Sequence, residues 1–289
     1  MKYFPYIILF VFYSQIIQSQ PANIENAYFE AMFSGNYPEG MKILSKLKKE
    51  YPNTVKTKLI TANYYAAMYE TSGSSDKYFI LTKKYAEQTI NLLEKIENPN
   101  NDAVSEIISA KSILLKINVL KRNFLKVAQN TQSIIKYFEY AMKHESESDK
   151  LKLISGMYKY YVETAKEDHP VIYPVLIFYP SGNKAEGLKL LKECTHSEDK
   201  TTAARSTIML AMIYYRDEKN INTSKYYFNK ILSKYPDNMV WQTEYYKALK
   251  KYDMKEEAEK QKKLIENKLS TDNFLDDEQK KYFSEIINN

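Results

Sequence analysis

The sequence has 289 residues and a formal net charge of +6, and its mean hydropathy is -0.54. This hydropathy excludes a protein built of many membrane spans. The excess of positive charge is small and interleaved with acidic residues, as in residues 247–268, so it does not form the basic stripe typical of nucleic-acid binders. With only 6 Gly and 9 Pro, the chain has too few turn residues for an all-β protein of this length, and helix is the expected structure.

Residues 1–20 resemble a secretory signal. Lys2 is their only charged residue, an apolar run covers residues 3–12, and Ser14 to Gln20 form a polar end. We expect cleavage after Ser19, which would make residues 20–289 the mature protein and place it in the periplasm or outside the cell. An uncleaved membrane anchor and a native first helix remain the alternatives. No integral membrane segment is expected once the signal is removed, because no later run is long and apolar enough.

Beyond residue 21, apolar residues recur at spacings of three and four. Tyr37, Met41, Leu44, Leu47 and Tyr51 form one such stripe, which predicts an amphipathic helix covered by a neighbour. Residues that stop or cap helices interrupt the pattern at 35–36, 51–53, 72–74, 98–100, 145–149, 169–170, 181–183, 197–199, 219–220, 236–238 and 253. These breaks predict about twelve helices, paired as antiparallel hairpins.

A repeat becomes visible once the breaks set its phase. Residues 35–53 contain Gly-Asn-Tyr-Pro-Glu-Gly-Met-Lys-Ile-Leu and end in Glu-Tyr-Pro-Asn. This pattern resembles the tetratricopeptide repeat, in which Gly, Asn or Asp and Tyr form the turn between two helices and Pro closes the second helix. Residues 205–238 and 239–272 fit the same 34-residue frame as residues 21–54. The resemblance implies an all-α, right-handed α-solenoid of helix pairs.

The segment 55–204 fits the repeat less well. Its helical patterns continue, but the predicted hairpins lengthen and lose the 34-residue phase, as in divergent helical solenoids. Residues 170–180 form an apolar insert interrupted by proline, followed by Gly182, Asn183 and Lys184. This arrangement resembles exported tetratricopeptide proteins of Gram-negative bacteria.

Residues suited to catalysis are scarce. The three histidines, His144, His169 and His196, lie far apart, and Cys194 is the only cysteine. Nucleophile, phosphate-loop and zinc motifs are absent from the sequence. We therefore expect no enzyme activity, no cofactor and no metal site. The 27 Tyr are consistent either with packing in the core or with an aromatic binding surface.

The resemblance to tetratricopeptide repeats implies a binding function. In that family, set positions of the first helix of each pair face a concave groove. Carried over by phase, these positions are Glu25, Phe29, Met32, Phe33, Met209, Ile213, Arg216, Lys247, Lys250 and Lys251. The groove would be apolar at one end and basic at the other, which suits a peptide with an acidic tail. An exported scaffold for a protein or peptide partner is the leading hypothesis, and a glycan- or nutrient-binding accessory of an envelope uptake system is the alternative. The sequence decides neither the partner's identity nor the oligomeric state.

Overall fold

The computed structural model describes residues 22–168 and 179–288. The predicted signal lies outside these residues, as do His169 and most of the insert at 170–180. The described part of the chain is all-α, as predicted, and contains no strand. None of its helices combines the length and apolar character needed to cross a bilayer.

Thirteen helices occur in the described residues, against about twelve expected. They are α1 (Ala22–Phe33), α2 (Tyr37–Glu50), α3 (Val55–Thr71), α4 (Asp76–Leu93), α5 (Asn101–Leu120), α6 (Phe124–Lys143), α7 (Asp149–Asp168), α8 (Lys184–Cys194), α9 (Lys200–Arg216), α10 (Ile221–Lys234), α11 (Met239–Lys251), α12 (Lys255–Thr271) and α13 (Asp277–Asn288). Consecutive helices pack against each other in pairs, from α1 with α2 to α11 with α12, and α13 follows the last pair. The predicted tetratricopeptide-like solenoid is therefore confirmed.

Short polar side chains fix the starts of most helices. At each of these positions a side-chain oxygen accepts a hydrogen bond from a backbone N–H in the first turn, which satisfies a donor that the helix leaves unpaired. The capping residues are Asn36, Thr54, Asn100, Asn123, Asn183, Asp199, Asn220 and Asn238. The local sequence thus sets the helix boundaries almost independently of tertiary packing.

Two helix boundaries do not coincide with any of the predicted breaks, although the repeat frame 239–272 ends at the second of them. The turn between α5 and α6 uses Arg122 in a left-handed conformation (φ 55°), where a glycine or asparagine would have been the recognisable signal. The segment between α12 and α13 is organised by Asp272, whose carboxylate accepts hydrogen bonds from the backbone N–H groups of Phe274 and Leu275. Neither turn contains the Pro or Gly that marked most of the other breaks.

The two ends of the chain meet. The side-chain amide of Asn238 donates a hydrogen bond to the carbonyl oxygen of Phe33 (2.8 Å), and Phe33 packs against Trp241 with 5.5 Å between ring centroids. On α13, the amide of Gln279 donates to the hydroxyl of Thr71 at the end of α3 (2.8 Å). The solenoid therefore closes, with the first helix pairs docked against the last ones.

The turn between α1 and α2 fits against the turn before α11. Gly35 has a left-handed φ of 73°, and a Cβ atom there would lie 2.8 Å from the carbonyl oxygen of Asp237. Glycine at this position thus serves both the repeat turn and the contact between the ends of the chain.

The largest hydrophobic core runs through this closure. It includes Tyr28 and Leu44 from the first pair together with Phe228 and Phe283 from the last helices, all almost fully buried. The largest fully buried side chains include Tyr28, Tyr69, Tyr160 and Tyr235, so a substantial share of the tyrosines serves core packing.

Candidate functional site: the inner face of the helix pairs

The first helices of five successive pairs surround a central cavity of about 380 Å³. We call it the chamber, and its wall comes from α1, α3, α5, α7 and α9. Its lining residues are Glu25, Asn26, Phe29, Lys56, Leu59, Asn63, Ser105, Glu106, Ser109, Lys150, Leu153, Ile154, Asp199, Thr201, Thr202 and Arg205. The chamber is within the size range of small-ligand sites, but its wall is unusually rich in charged side chains.

Ion pairs neutralise some of these charges. The ammonium group of Lys56 on α3 donates a hydrogen bond to the carboxylate of Glu25 on α1, and it lies 3.8 Å from the carboxylate of Glu106 on α5. Lys150 on α7 forms an ion pair with Asp102 on α5, with 3.1 Å between Nζ and Oδ1. The charged groups therefore connect neighbouring helices around the wall.

Of the three carboxylates in the chamber wall, Glu106 is the one that accepts no hydrogen bond from the described residues. Its side chain is only 15% exposed. Burial raises its pKa to about 6, Lys56 and Lys150 partly oppose this, and Glu25 and Asp102 add to it. Ionisation of Glu106 is therefore less favourable in the folded protein than in water.

Arg205 is the cation of the chamber that neither hydrogen-bonds nor forms an ion pair with any of the described residues. Its guanidinium carbon lies 5.2 Å from the centroid of the Phe29 ring, a distance at which a cation attracts the ring face. Among the described residues it forms no hydrogen bond and no ion pair. Loss of hydration lowers the pKa of Arg205. The negative charges of Asp199 and Glu25 partly oppose this shift. The five N–H donors of Arg205 are available to a ligand.

An apolar cleft of about 220 Å³ adjoins the chamber where the chain ends meet. The two cavities share Phe29, Asn63 and Arg205. The remaining residues of the cleft are Tyr28, Met32, Phe33, Tyr37, Ala67, Glu70, Asn238, Val240 and Trp241. The cleft can hold an apolar group next to the guanidinium of Arg205.

A basic strip lies at the far end of α11 and includes Arg216, Lys247, Lys250 and Lys251, all exposed. Glu244 binds Arg216 and lies 2.9 Å from the ammonium of Lys247. Burial pushes the pKa of Glu244 upwards, but hydrogen bonds from Lys247 and Tyr215 and the nearby positive charges outweigh it and leave the pKa below its usual value. Glu244 therefore neutralises only part of the strip.

The residues predicted to face a groove divide among several places. Glu25 and Phe29 line the chamber, and Phe29, Met32 and Phe33 line the cleft. Arg216, Lys247, Lys250 and Lys251 form the basic strip. Met209 accepts a hydrogen bond from the hydroxyl of Tyr161. Ile213 is fully buried in the core, because the packing of α9 against its neighbours covers that position.

Several residues of the inner face were not recognised in the sequence. Arg205 opens the second regular repeat, but its position lies outside the groove positions of the family pattern. Lys56, Glu106 and Lys150 fall in the segment without repeat phase, so nothing in the sequence indicated that they share one cavity. Trp241 precedes the basic residues of α11, and no sequence signal indicated that it lines the cleft.

The residues considered for chemistry lie apart. Cys194 is buried, and burial raises its pKa to about 12. His144 pairs with Glu147 (2.8 Å), and His196 is exposed. Within the described ranges, no three His, Cys, Asp or Glu side chains are grouped as a metal site requires.

Comparison with known families gives a match at both ends of the chain. The model described as Tetratricopeptide repeat matches residues 26–54 and 208–238. Comparison with curated proteins and with solved structures gives no match. The two matched segments coincide with the first and fifth helix pairs, and the repeats suggest a scaffold for interactions between proteins. The chain therefore contains tetratricopeptide repeats at these two places.

Proposed function

We propose that this protein is an exported scaffold that binds one segment of a partner polypeptide along α11 and catalyses no reaction. The signal-like residues 1–19 support export. The absence of recognisable catalytic motifs from the sequence and the usual role of tetratricopeptide repeats support binding as the function.

The observation that carries this proposal is the position of the apolar cleft at one end of α11 and of the basic strip at the other. Val240, Lys247 and Lys250 follow each other at helical spacing and share one face of α11. Val240 and Lys250 are about 15 Å apart along the helix axis, at 1.5 Å per residue. An extended peptide covers this distance in about four to five residues. A matching segment of the partner therefore has an apolar side chain that enters the cleft. About four to five residues further along it has an acidic side chain that contacts the basic strip.

Site-specific photocrosslinking in the native cell envelope tests this proposal. A photoreactive phenylalanine analogue at Met32, beside the cleft, should capture a discrete polypeptide. The matched control carries the analogue at Tyr226, which is 61% exposed on the second helix of its pair. Equal capture from both positions, or none from Met32, would contradict the proposed surface.

Charge reversal tests the basic strip separately. Lys250→Glu combined with Lys251→Glu should reduce capture at Met32 several-fold, because rim charges govern the rate of association. Lys46→Glu on α2 is the control, since Lys46 is also exposed but lies on a second helix. An identical effect of both charge changes would indicate nonspecific attraction and refute a defined site.

Export is tested by fractionation and N-terminal analysis of the mature protein. We expect the protein in the envelope or medium, beginning at Gln20. A cytoplasmic protein that retains Met1 would refute the location while leaving the binding surface untouched.

A further inference from the structure

The chamber is a separate place to bind a ligand. It lies inside the ring of first helices, whereas the proposed polypeptide partner contacts the cleft and the exposed face of α11. Because the two ends of the chain meet at Asn238 and Phe33, the ring is closed at this point. A cavity of about 380 Å³ has room for a molecule of the size of an amino acid or a short peptide, and not for a folded partner.

Arg205 sets the first requirement on the ligand. The guanidinium of Arg205 is partly exposed in the chamber and makes no hydrogen bond or ion pair to the described residues, so its donors face the cavity without a protein acceptor. Its planar fork matches a carboxylate, which accepts two parallel hydrogen bonds from it. The Phe29 ring, 5.2 Å from the guanidinium carbon, supports one face of the group and leaves its edges for an acceptor.

Glu106 sets the second requirement. Its carboxylate makes no hydrogen bond within the described part of the chain, and its nearest cation, Lys56, is 3.8 Å away and already hydrogen-bonded to Glu25. A ligand ammonium group would give Glu106 the close, charge-assisted partner that the described residues do not provide.

The charge balance of the chamber favours a ligand that carries both groups. Its wall holds three cations, Lys56, Lys150 and Arg205, and three carboxylates, Glu25, Glu106 and Asp199. A ligand with net charge would leave one charge in the chamber without a counter-charge, which is unfavourable. A zwitterion keeps the balance and satisfies both groups.

We propose that the chamber binds a small zwitterion of the amino-acid or short-peptide class, with its carboxylate on Arg205 and its ammonium group on Glu106. An apolar side chain of the ligand would pack against Phe29 and Leu59 in the wall of the chamber.

Calorimetric titration of the full protein tests this proposal. The probes are free leucine and a panel of Gly-X dipeptides in which X is each of the common amino acids, followed by the N-acetylated and C-terminally amidated forms of the best binder. We expect at least one unmodified probe to bind with a Kd below about 1 mM, and each modification to weaken binding at least about tenfold. Absence of binding by every unmodified probe, or equal binding of the blocked forms, would overturn the proposal.

Variants of the two key residues complete the test. Arg205→Met should weaken binding of the best probe at least about tenfold. Glu106→Gln should abolish the preference for the free amine over the N-acetylated form. Far-UV circular dichroism checks that each variant is folded, and if Arg205→Met is not, the Glu106→Gln result decides. Unchanged selectivity in Glu106→Gln would refute the assignment.

A matched control separates this inference from the proposed scaffold function. The double variant Lys250→Glu, Lys251→Glu lies on the basic strip and should leave probe binding unchanged while reducing partner capture. Loss of probe binding in this variant would show that the chamber is not an independent site.

Discussion

Closure of the solenoid can be tested with two glycines that differ in one respect. Gly35 and Gly73 both have left-handed φ values, 73° and 68°. A Cβ atom at Gly73 would meet no atom within 4 Å, whereas one at Gly35 would lie 2.8 Å from the backbone oxygen of Asp237 across the closure. Substituting alanine at each position therefore applies the same backbone strain, but only the Gly35 variant also forces the ends of the chain apart.

The expected magnitudes follow from these contacts. A left-handed conformation costs a residue with a Cβ atom about 1 kcal/mol, which is the whole effect expected for Gly73→Ala. In Gly35→Ala, the backbone of Asp237 must move away, and this movement weakens the hydrogen bond from Asn238 to Phe33, worth about 1 kcal/mol, and the packing of Phe33 on Trp241. We expect Gly35→Ala to lower the free energy of unfolding by about 3 kcal/mol in total.

Urea unfolding followed by circular dichroism and by tryptophan fluorescence provides the measurement. Trp241 is the only tryptophan and lies in the closure, so in the folded Gly35→Ala variant its emission should shift to longer wavelength, while in Gly73→Ala it should not. Equal losses of stability in the two variants, with unchanged emission in both, would refute the closed arrangement.

Three further predictions concern buried groups. Because the pKa of Glu106 is raised to about 6, its charge destabilises the folded state as pH rises above about 4.5. Glu106→Gln should then stabilise the protein by about 2 kcal/mol at pH 7 and hardly at pH 4, and a pH-independent effect in urea titrations would contradict this. The ammonium of Lys159, 3.0 Å from both carboxylate oxygens of Glu145 and 12% exposed, leaves a poorly solvated carboxylate behind when removed. Lys159→Met should cost about 3 kcal/mol in thermal or urea unfolding, whereas Lys260→Met on the exposed face of α12 should have little effect. Cys194, 1% exposed with a raised pKa, should react with a thiol reagent only after unfolding, and rapid labelling of the native protein would show that the packing of α8 against α7 does not cover it.

Local signals predicted most of the helices. Asn36, Asn100, Asn220 and Asn238 both interrupt the apolar pattern and cap the following helix through their own side chains, so a boundary depends on only a few neighbouring residues. The missed turn at Arg122 shows the limit of this reasoning. There the chain reverses at an arginine with a left-handed φ, a residue type that does not signal such a turn in a sequence.

The candidate site could be predicted only in part. The repeat phase placed Phe29, Met32 and Phe33 on the inner face, where they line the cleft, because that phase describes how one helix pair is oriented. It could not bring Arg205 next to Phe29, since these residues are far apart in the chain and meet only through the accumulated rotation of the intervening pairs. Lys56 and Glu106 lie in the long hairpins, where the 34-residue repeat frame is lost. Their orientation could therefore not be predicted from the repeat.

The sequence by itself determined the helices, their caps and the repeat of the first and later pairs, because these depend on interactions within about one repeat length. Closure and the chamber were decided by the tertiary structure. Each helix pair adds a small rotation to the one before it, and only the sum over all pairs, including the long divergent ones, brings Gly35 against Asp237 and encloses the charged inner face. That sum is a property of packing between side chains distant in sequence, which no short motif records.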